Sequence, residues 1–355
     1  MKLRPHPVQV LRRVVQLSVV VIILLVPAVA RYHNYVASRE VDRVLERWDG
    51  TFAGSVIAGI DTAVRMLPGG EGERVGEVVR DRDRAMGYAQ QLRGGAWSAQ
   101  VGPLSMTDPL GAAESVAATR RFPRVLAVGL VVPLILTAML GRVFCSWICP
   151  MGLLLEMTDK LRGALRFLEL RPRDFRAARA TKYALLVAGL VLAFVLSMPV
   201  LGYVYPPALL SRELHELMFH IFDRAELGRF GVSLRGVSWM ALVVVAIVLV
   251  EVTVSRRWWC RYVCPGGALY SLIGRARPVR VKLYEKQCTQ CAGCVVACPM
   301  GLDPMRDRMG AECDNCGVCI SACNDDALGY AIDVPLLRNS PGRGESGEAA
   351  EGGRP

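Results

Sequence analysis

Cysteine is missing from residues 1–144 and again from residues 324–355. All twelve fall between Cys145 and Cys323, in four tight sets. That excludes a secreted disulfide framework, which spreads its cysteines over the loops of a small domain. Charge is scarce too. Asp, Glu, Lys and Arg make up 21% of the 355 residues, against about 25% in soluble domains. Hydrophobic residues reach 52% and the mean hydropathy is +0.31. A disordered or fibrous chain is excluded, and an ordinary soluble globule is disfavoured. Acids are absent from residues 1–13 and 255–284, and there are only five lysines. The net charge of +11 therefore needs no nucleic acid to explain it, because basic residues beside membrane spans have the same effect.

Four apolar runs are present: Val14–Ala30, Val125–Leu140, Tyr183–Val204 and Val237–Val250. A spanning helix needs about 20 largely apolar residues. The second run reaches that by continuing through Val143 and Phe144, the fourth through Val252 and Val254. Pro27, Pro133 and Pro199 are tolerated in membrane helices. The loop 142–182 carries nine basic and four acidic residues, and 255–284 seven basic and none acidic. The loop 205–236 has four of each. Positive flanks put the N-terminus, the 142–182 loop and the C-terminal part in the cytoplasm of a bacterial inner membrane. The first run reads as an uncleaved anchor. Ala28-Val29-Ala30 leaves a cleavable signal peptide as the alternative.

The expected class is an α-helical membrane protein with four spans and a cytoplasmic α+β domain that holds eight of the cysteines. Residues 1–30 would be the anchor and 31–124 a mostly helical periplasmic unit. Residues 125–284 would hold three spans, 285–335 the cytoplasmic α+β domain, and 336–355 a disordered tail. Helical spacing at Val41, Val44, Leu45 and Trp48, and from Phe52 to Leu67, supports the periplasmic unit.

Cys288-x2-Cys291-x2-Cys294-x3-Cys298 recurs as Cys313-x2-Cys316-x2-Cys319-x3-Cys323. Three thiolates from one tight loop wrap a cubane cluster, and the fourth reaches the other cluster. Two [4Fe–4S] clusters with crossed ligation follow. One takes Cys288, Cys291, Cys294 and Cys323; the other takes Cys313, Cys316, Cys319 and Cys298. A zinc ribbon uses paired ligands without a third cysteine at this spacing. Residues 286–333 resemble the bacterial two-cluster ferredoxins, with Asn324 where a second proline usually stands.

A second repeat aligns Arg142-Val-Phe-Cys145-Ser-Trp-Ile-Cys149-Pro150-Met-Gly152 with Arg257-Trp-Trp-Cys260-Arg-Tyr-Val-Cys264-Pro265-Gly-Gly267. Each copy follows a span. Cysteines four apart share a face if the segment is helical, so Cys145, Cys149, Cys260 and Cys264 are candidates for a shared redox site or thiolate-bound metal. Packing of small buried thiols is the other reading.

The order of span, CxxxCP, two spans, CxxxCP and double ferredoxin resembles the NapH-type membrane ferredoxins. Leu104-Ser-Met-Thr-Asp108-Pro109-Leu110, GRVFCSWICP and Tyr205-Pro206-Pro207 carry the likeness, which covers about residues 94–333. NosR, NosH and CcoG share parts of the pattern. The resemblance implies quinol as substrate, electron transfer to a periplasmic reductase chain such as nitrate or nitrous-oxide respiration, and an iron–sulfur or cytochrome subunit as partner. A maturation factor that reduces a metal or thiol for a partner enzyme is the alternative. Quinol oxidation needs a proton acceptor beside an apolar pocket. Glu213, Glu216 and His220 share a helical face in the 205–236 loop and are candidates, but an amphipathic interfacial helix with solvated polar groups is the favoured reading.

Overall fold

Helix α1 (Pro7–Ser38) is unbroken for 32 residues, about 48 Å at 1.5 Å per residue. Val10, Val14, Leu17, Val21 and Leu25 form an exposed stripe at three- and four-residue spacing, while Arg12, Gln16 and Ile23 are buried. The computed structural model describes residues 7–38, 40–66, 99–101, 104–122, 124–167, 175, 177–226, 239–306 and 309–332. The tail 336–355 expected to be disordered lies outside them. Beyond Ala28, α1 joins α2 (Val41–Arg47) and α3 (Phe52–Met66) around Tyr32, Tyr35, Val44, Trp48 and Ile57. Gly50, at φ +73°, makes the turn between α2 and α3, a backbone region where glycine has no Cβ penalty. Tyr32 donates to buried Asp61 at 2.8 Å.

Strands β1 (Ala99–Val101) and β2 (Leu104–Met106) form an antiparallel hairpin with Ala99 opposite Met106. Helix α4 (Pro109–Thr119) follows, capped by Asp108, whose carboxylate accepts from Leu110 N–H, with Pro at the first helical position. The sequence suggests that residues up to 124 belong to an outer unit. Instead α4 packs among α5 (Arg124–Leu140), α7 (Thr181–Leu196) and α11 (Pro265–Ile273). Its small residues allow this: Ala112 and Ala118 are buried, and Glu114 accepts from Leu201 N–H.

Two apolar runs are shorter helices than their hydropathy implies. Gly141, at φ +72°, stops α5, and Ser197, at φ +52°, stops α7. The chain then turns back, so that Leu201 packs beside Leu186. Among the described residues only α1 is long and apolar enough to cross a membrane. Helices α5, α7 and α9 (Trp239–Thr253) are apolar but hold 17, 16 and 15 residues. Helix α8 (Pro206–Glu226), expected at an interface, packs along α1, α9 and α6 (Pro150–Phe167). Its proline pair starts it straight after the returning turn.

The C-terminal unit pairs β3 (Val279–Leu283) with β4 (Leu328–Ile332), Val279 opposite Ile332. Between them lie two short helices, α12 (Gly293–Ala297) and α13 (Val318–Ala322), packed on each other. This is the compact α+β arrangement that the cysteine repeat implies.

Candidate metal centre

Within the C-terminal unit the two cysteine repeats wrap two cavities. One is lined by Cys298, Cys313, Cys316 and Cys319 with Val281, Met300 and Leu302. The other is lined by Cys288, Cys291, Cys294 and Cys323 with Leu283 and Leu328. Each takes three cysteines from one repeat and the last cysteine from the other. Left-handed residues turn the chain at Gln290, Ala292, Asn315 and Gly317, which lets consecutive cysteines face one space. Leu302 N–H donates to Cys298 Sγ and Ala327 N–H to Cys323 Sγ. Such bonds favour thiolate. Among the described residues, no three His, Cys, Asp or Glu side chains stand close enough to hold a single metal ion. A four-iron cluster is larger than one ion and needs its thiolates farther apart, so four soft donors drawn from two tight loops suit it.

The paired motifs meet at the end of the helix bundle. Cys145, Cys149 and Cys264 share one packed cluster, and Cys149 joins it to the neighbouring cluster that holds Cys260. The first CxxxC runs through a π-helix, Phe144–Ile148, and the second through a short helix, α10 (Trp258–Tyr262), that widens at its end. Cys149 N–H reaches Phe144 O at 2.9 Å and Cys264 N–H reaches Trp259 O at 2.9 Å, both five residues back. Such π-type widenings recur at functional sites. The second cysteine of each motif sits immediately ahead of a helix that starts with proline, α6 after Cys149 and α11 after Cys264. Gly267 N–H donates to Cys264 Sγ at 3.4 Å. The glycine three residues on is a space requirement. A Cβ at Gly152 would stand 2.9 Å from Cys145 O, and one at Gly267 would stand 2.8 Å from the Arg142 guanidinium. Helices α4 and α8 also begin with proline here, so Leu110, Tyr205 and Ala208 join the same cluster. Four helix N-termini thus gather at the thiols, and their dipoles favour negative charge. Burial pushes all four thiols up, Cys264 to about 11 with help from the Cys145 charge. A metal must therefore displace protons to bind.

The thiol site and the C-terminal unit are joined by a polar seam. Ser146 donates to Asp314 O at 2.7 Å and Trp147 to Asn315 O at 3.3 Å. Asn315 donates to Leu140 O at 2.8 Å, and Gln9 to Cys316 O at 2.8 Å. Arg142 reaches Glu312 Oε2 at 2.7 Å, and that carboxylate also takes Lys182 and Tyr183. Despite its own burial, Glu312 is held below the usual carboxylate range by Arg142 and Lys182. The cavity with Cys313 and Cys316 therefore lies against the four thiols, whereas exposed Cys291 lines the cavity away from them. Of the quinol candidates, Glu213 is half-buried and Glu216 exposed. The side chain of His220 lies outside the described residues. Sequence reasoning missed the seam. It aligned Arg142 with Arg257 but gave neither a role.

A family described as "4Fe-4S binding domain" matches residues 123–167 and 236–284, the segments that hold the paired motifs. The ferredoxin-type protein NapH of Haemophilus influenzae is 29% identical over 241 residues, 64% of this chain and 76% of the relative. NapH of Escherichia coli is 28% identical over 234 residues, 63% and 74% of the two chains. The methylamine utilization ferredoxin-type protein MauN of Methylorubrum extorquens is 31% identical over 211 residues, 58% and 65%. No solved structure matches. Cysteine sets and relatives together define an iron–sulfur electron-transfer protein. The chain resembles the ferredoxin-type proteins NapH over 64% of its length.

Proposed function

We propose that this protein is a multi-span inner-membrane carrier that takes electrons from quinol and hands them to an iron–sulfur or cytochrome partner. The carrying observation is the pair of four-cysteine cavities, one of them docked on the four thiols of the bundle. Cys298, Cys313, Cys316 and Cys319 would hold one [4Fe–4S] cluster. Cys288, Cys291, Cys294 and Cys323 would hold the other. Bound clusters supply one-electron transfer. Cys145, Cys149, Cys260 and Cys264 would hold a further thiolate-bound metal centre, a reading supported by the family match over both motifs. The chain's own contribution is to orient the cysteines, exclude water from the inner cavity and leave the outer one accessible near Cys291.

Membrane crossing is supported by exposed apolar stripes on α1 and three further helices: Val128, Val131, Ile135 and Met139; Val187, Val191 and Val195; Leu242, Val245 and Leu249. Contiguous exposed apolar surface of this kind marks a lipid or partner face. Retention of α1 fits its internal contacts, Gln16 on Ser146 O and Arg12 on Glu156. The test is anaerobic purification with iron and sulfide analysis. Two clusters require about eight of each, and a four-iron centre on the paired motifs would bring about twelve. Cys291→Ala should remove the outer cluster's signal and Cys316→Ala the inner one's. Zinc in place of iron would refute the reading.

A further inference from the structure

Each paired motif opens with an arginine three residues before its first cysteine. Both are buried, Arg142 at 1% exposure and Arg257 at 3%. Both cross the seam to the residues on either side of one cysteine. Arg142 contacts Glu312 at 2.7 Å and its carbonyl at 3.1 Å, and Arg257 pairs with Asp314 at 3.7 Å. Glu312 and Asp314 flank Cys313. Arg142 also reaches Cys260 O of the other motif at 3.5 Å.

Burying a guanidinium is costly unless negative charge opposes it. Here the acids are oversubscribed. Glu312 serves Lys182 as well as Arg142, and Glu156 serves Arg12 and Arg13 as well as Arg257. The Nε atoms of Arg142 and Arg257 have no hydrogen-bond partner. A positive surplus thus stands between the four thiols and the cavity lined by Cys298, Cys313, Cys316 and Cys319. A cluster on four thiolates is anionic, and one-electron reduction adds a further negative charge without breaking a bond.

Resting on the reading above, we propose that Arg142 and Arg257 are positioning residues. They hold the inner cavity against the four thiols and supply the positive charge that favours the reduced form of the cluster bound there. Neither cavity has an arginine in its own lining, which includes Asp314 in the inner and Asp325 in the outer; the arginines act on the inner one through Glu312 and Asp314, the neighbours of Cys313.

The test is a dithionite titration of the anaerobically purified protein, followed by electron paramagnetic resonance. Signals are assigned with Cys316→Ala and Cys291→Ala. Arg142→Gln should make the inner cluster about tenfold harder to reduce, a downward shift of about 59 mV for one electron. Glu312→Gln should move it upward by a similar factor, and the double variant should return near wild type. The outer cluster should not move. Arg142→Lys keeps the charge and should keep the potential, which guards against a failure of Arg142→Gln to fold. The proposal is overturned if inner iron is full and its potential unmoved in both single variants, or if Arg142→Lys shifts it as Arg142→Gln does. A wild-type protein without iron would overturn the underlying reading as well.

Discussion

Asp108 is a carboxyl set among aromatic and aliphatic side chains. Its Oδ1 accepts from Tyr270 at 2.9 Å and from Leu110 N–H at 3.2 Å. Burial outweighs these bonds and raises its pKa from 3.8 to about 6. A raised acid favours the protonated form in the folded state. Its contribution to stability is complete below about pH 4 and is lost as pH rises through about 6. The two-unit difference corresponds to about 3 kcal/mol. Asp108→Asn keeps the shape and the capping oxygen without the charge. The variant should flatten part of the fall in stability between pH 4 and 6, while the buried carboxyl of Glu251 keeps its own share, and it should melt higher than wild type at pH 8, as read by thermal unfolding in detergent. In the proposed shared centre the four thiols respond together. Cys149→Ser and Cys264→Ser should each abolish most electron transfer with full ferredoxin iron, and the double variant should be no worse, since ligands of one centre are strongly non-additive. Normal transfer in both single variants would leave packing as their only role.

At the scale of elements, the prolines and glycines of the paired motifs act as start signals and spacers. Gly152 and Gly163 lie on the same helix, α6. A methyl at Gly152 meets the Cys145 carbonyl at 2.9 Å, whereas one at Gly163 meets nothing within 4 Å. Gly152→Ala should therefore cost about 1–3 kcal/mol and strip metal from the paired motifs. Gly163→Ala should stabilise by about 0.4–1 kcal/mol and leave metal content unchanged. Thermal melts with metal analysis distinguish the two. What could be read from sequence follows the same logic. The cysteine sets were legible because three ligands fall within seven residues. Helices α2 and α3 were legible from their period. Helix α4 was not, because Ala-rich packing with a buried Glu114 has too little hydropathy to stand out. The end of α7 was missed because Ser197 sits inside a continuous apolar run, whereas the second run ends at Leu140, as α5 does. The seam was invisible, since Arg142 and Glu312 are 170 residues apart.

Over the whole molecule, α1 measures the distance between two ends. Gln9 touches Cys316 of the C-terminal unit, and Ala28 lies in the cluster of Trp48 and Ile57. Nineteen residues of helix separate them, about 29 Å, close to the roughly 30 Å of a hydrocarbon core. The basic residues that suggested orientation have a second use at the C-terminal unit's surface. Arg179 donates to Met300 O and Gly301 O, Arg256 to Ala297 O, and Arg277 to Gly310 O. Positive flanks and the docked unit therefore belong to one face of the molecule. In the proposed orientation, which follows the positive-inside rule, that face is the cytoplasmic one, with α2 and α3 at the opposite end of α1. Reporter fusions after Leu92 and after Leu336 separate the alternatives. A periplasm-only reporter should be active at Leu92 and silent at Leu336. Activity at both positions would mean that an odd number of crossings is missing between them. Activity at Leu336 alone would invert the protein and expose the outer cavity at Cys291 to a periplasmic partner instead.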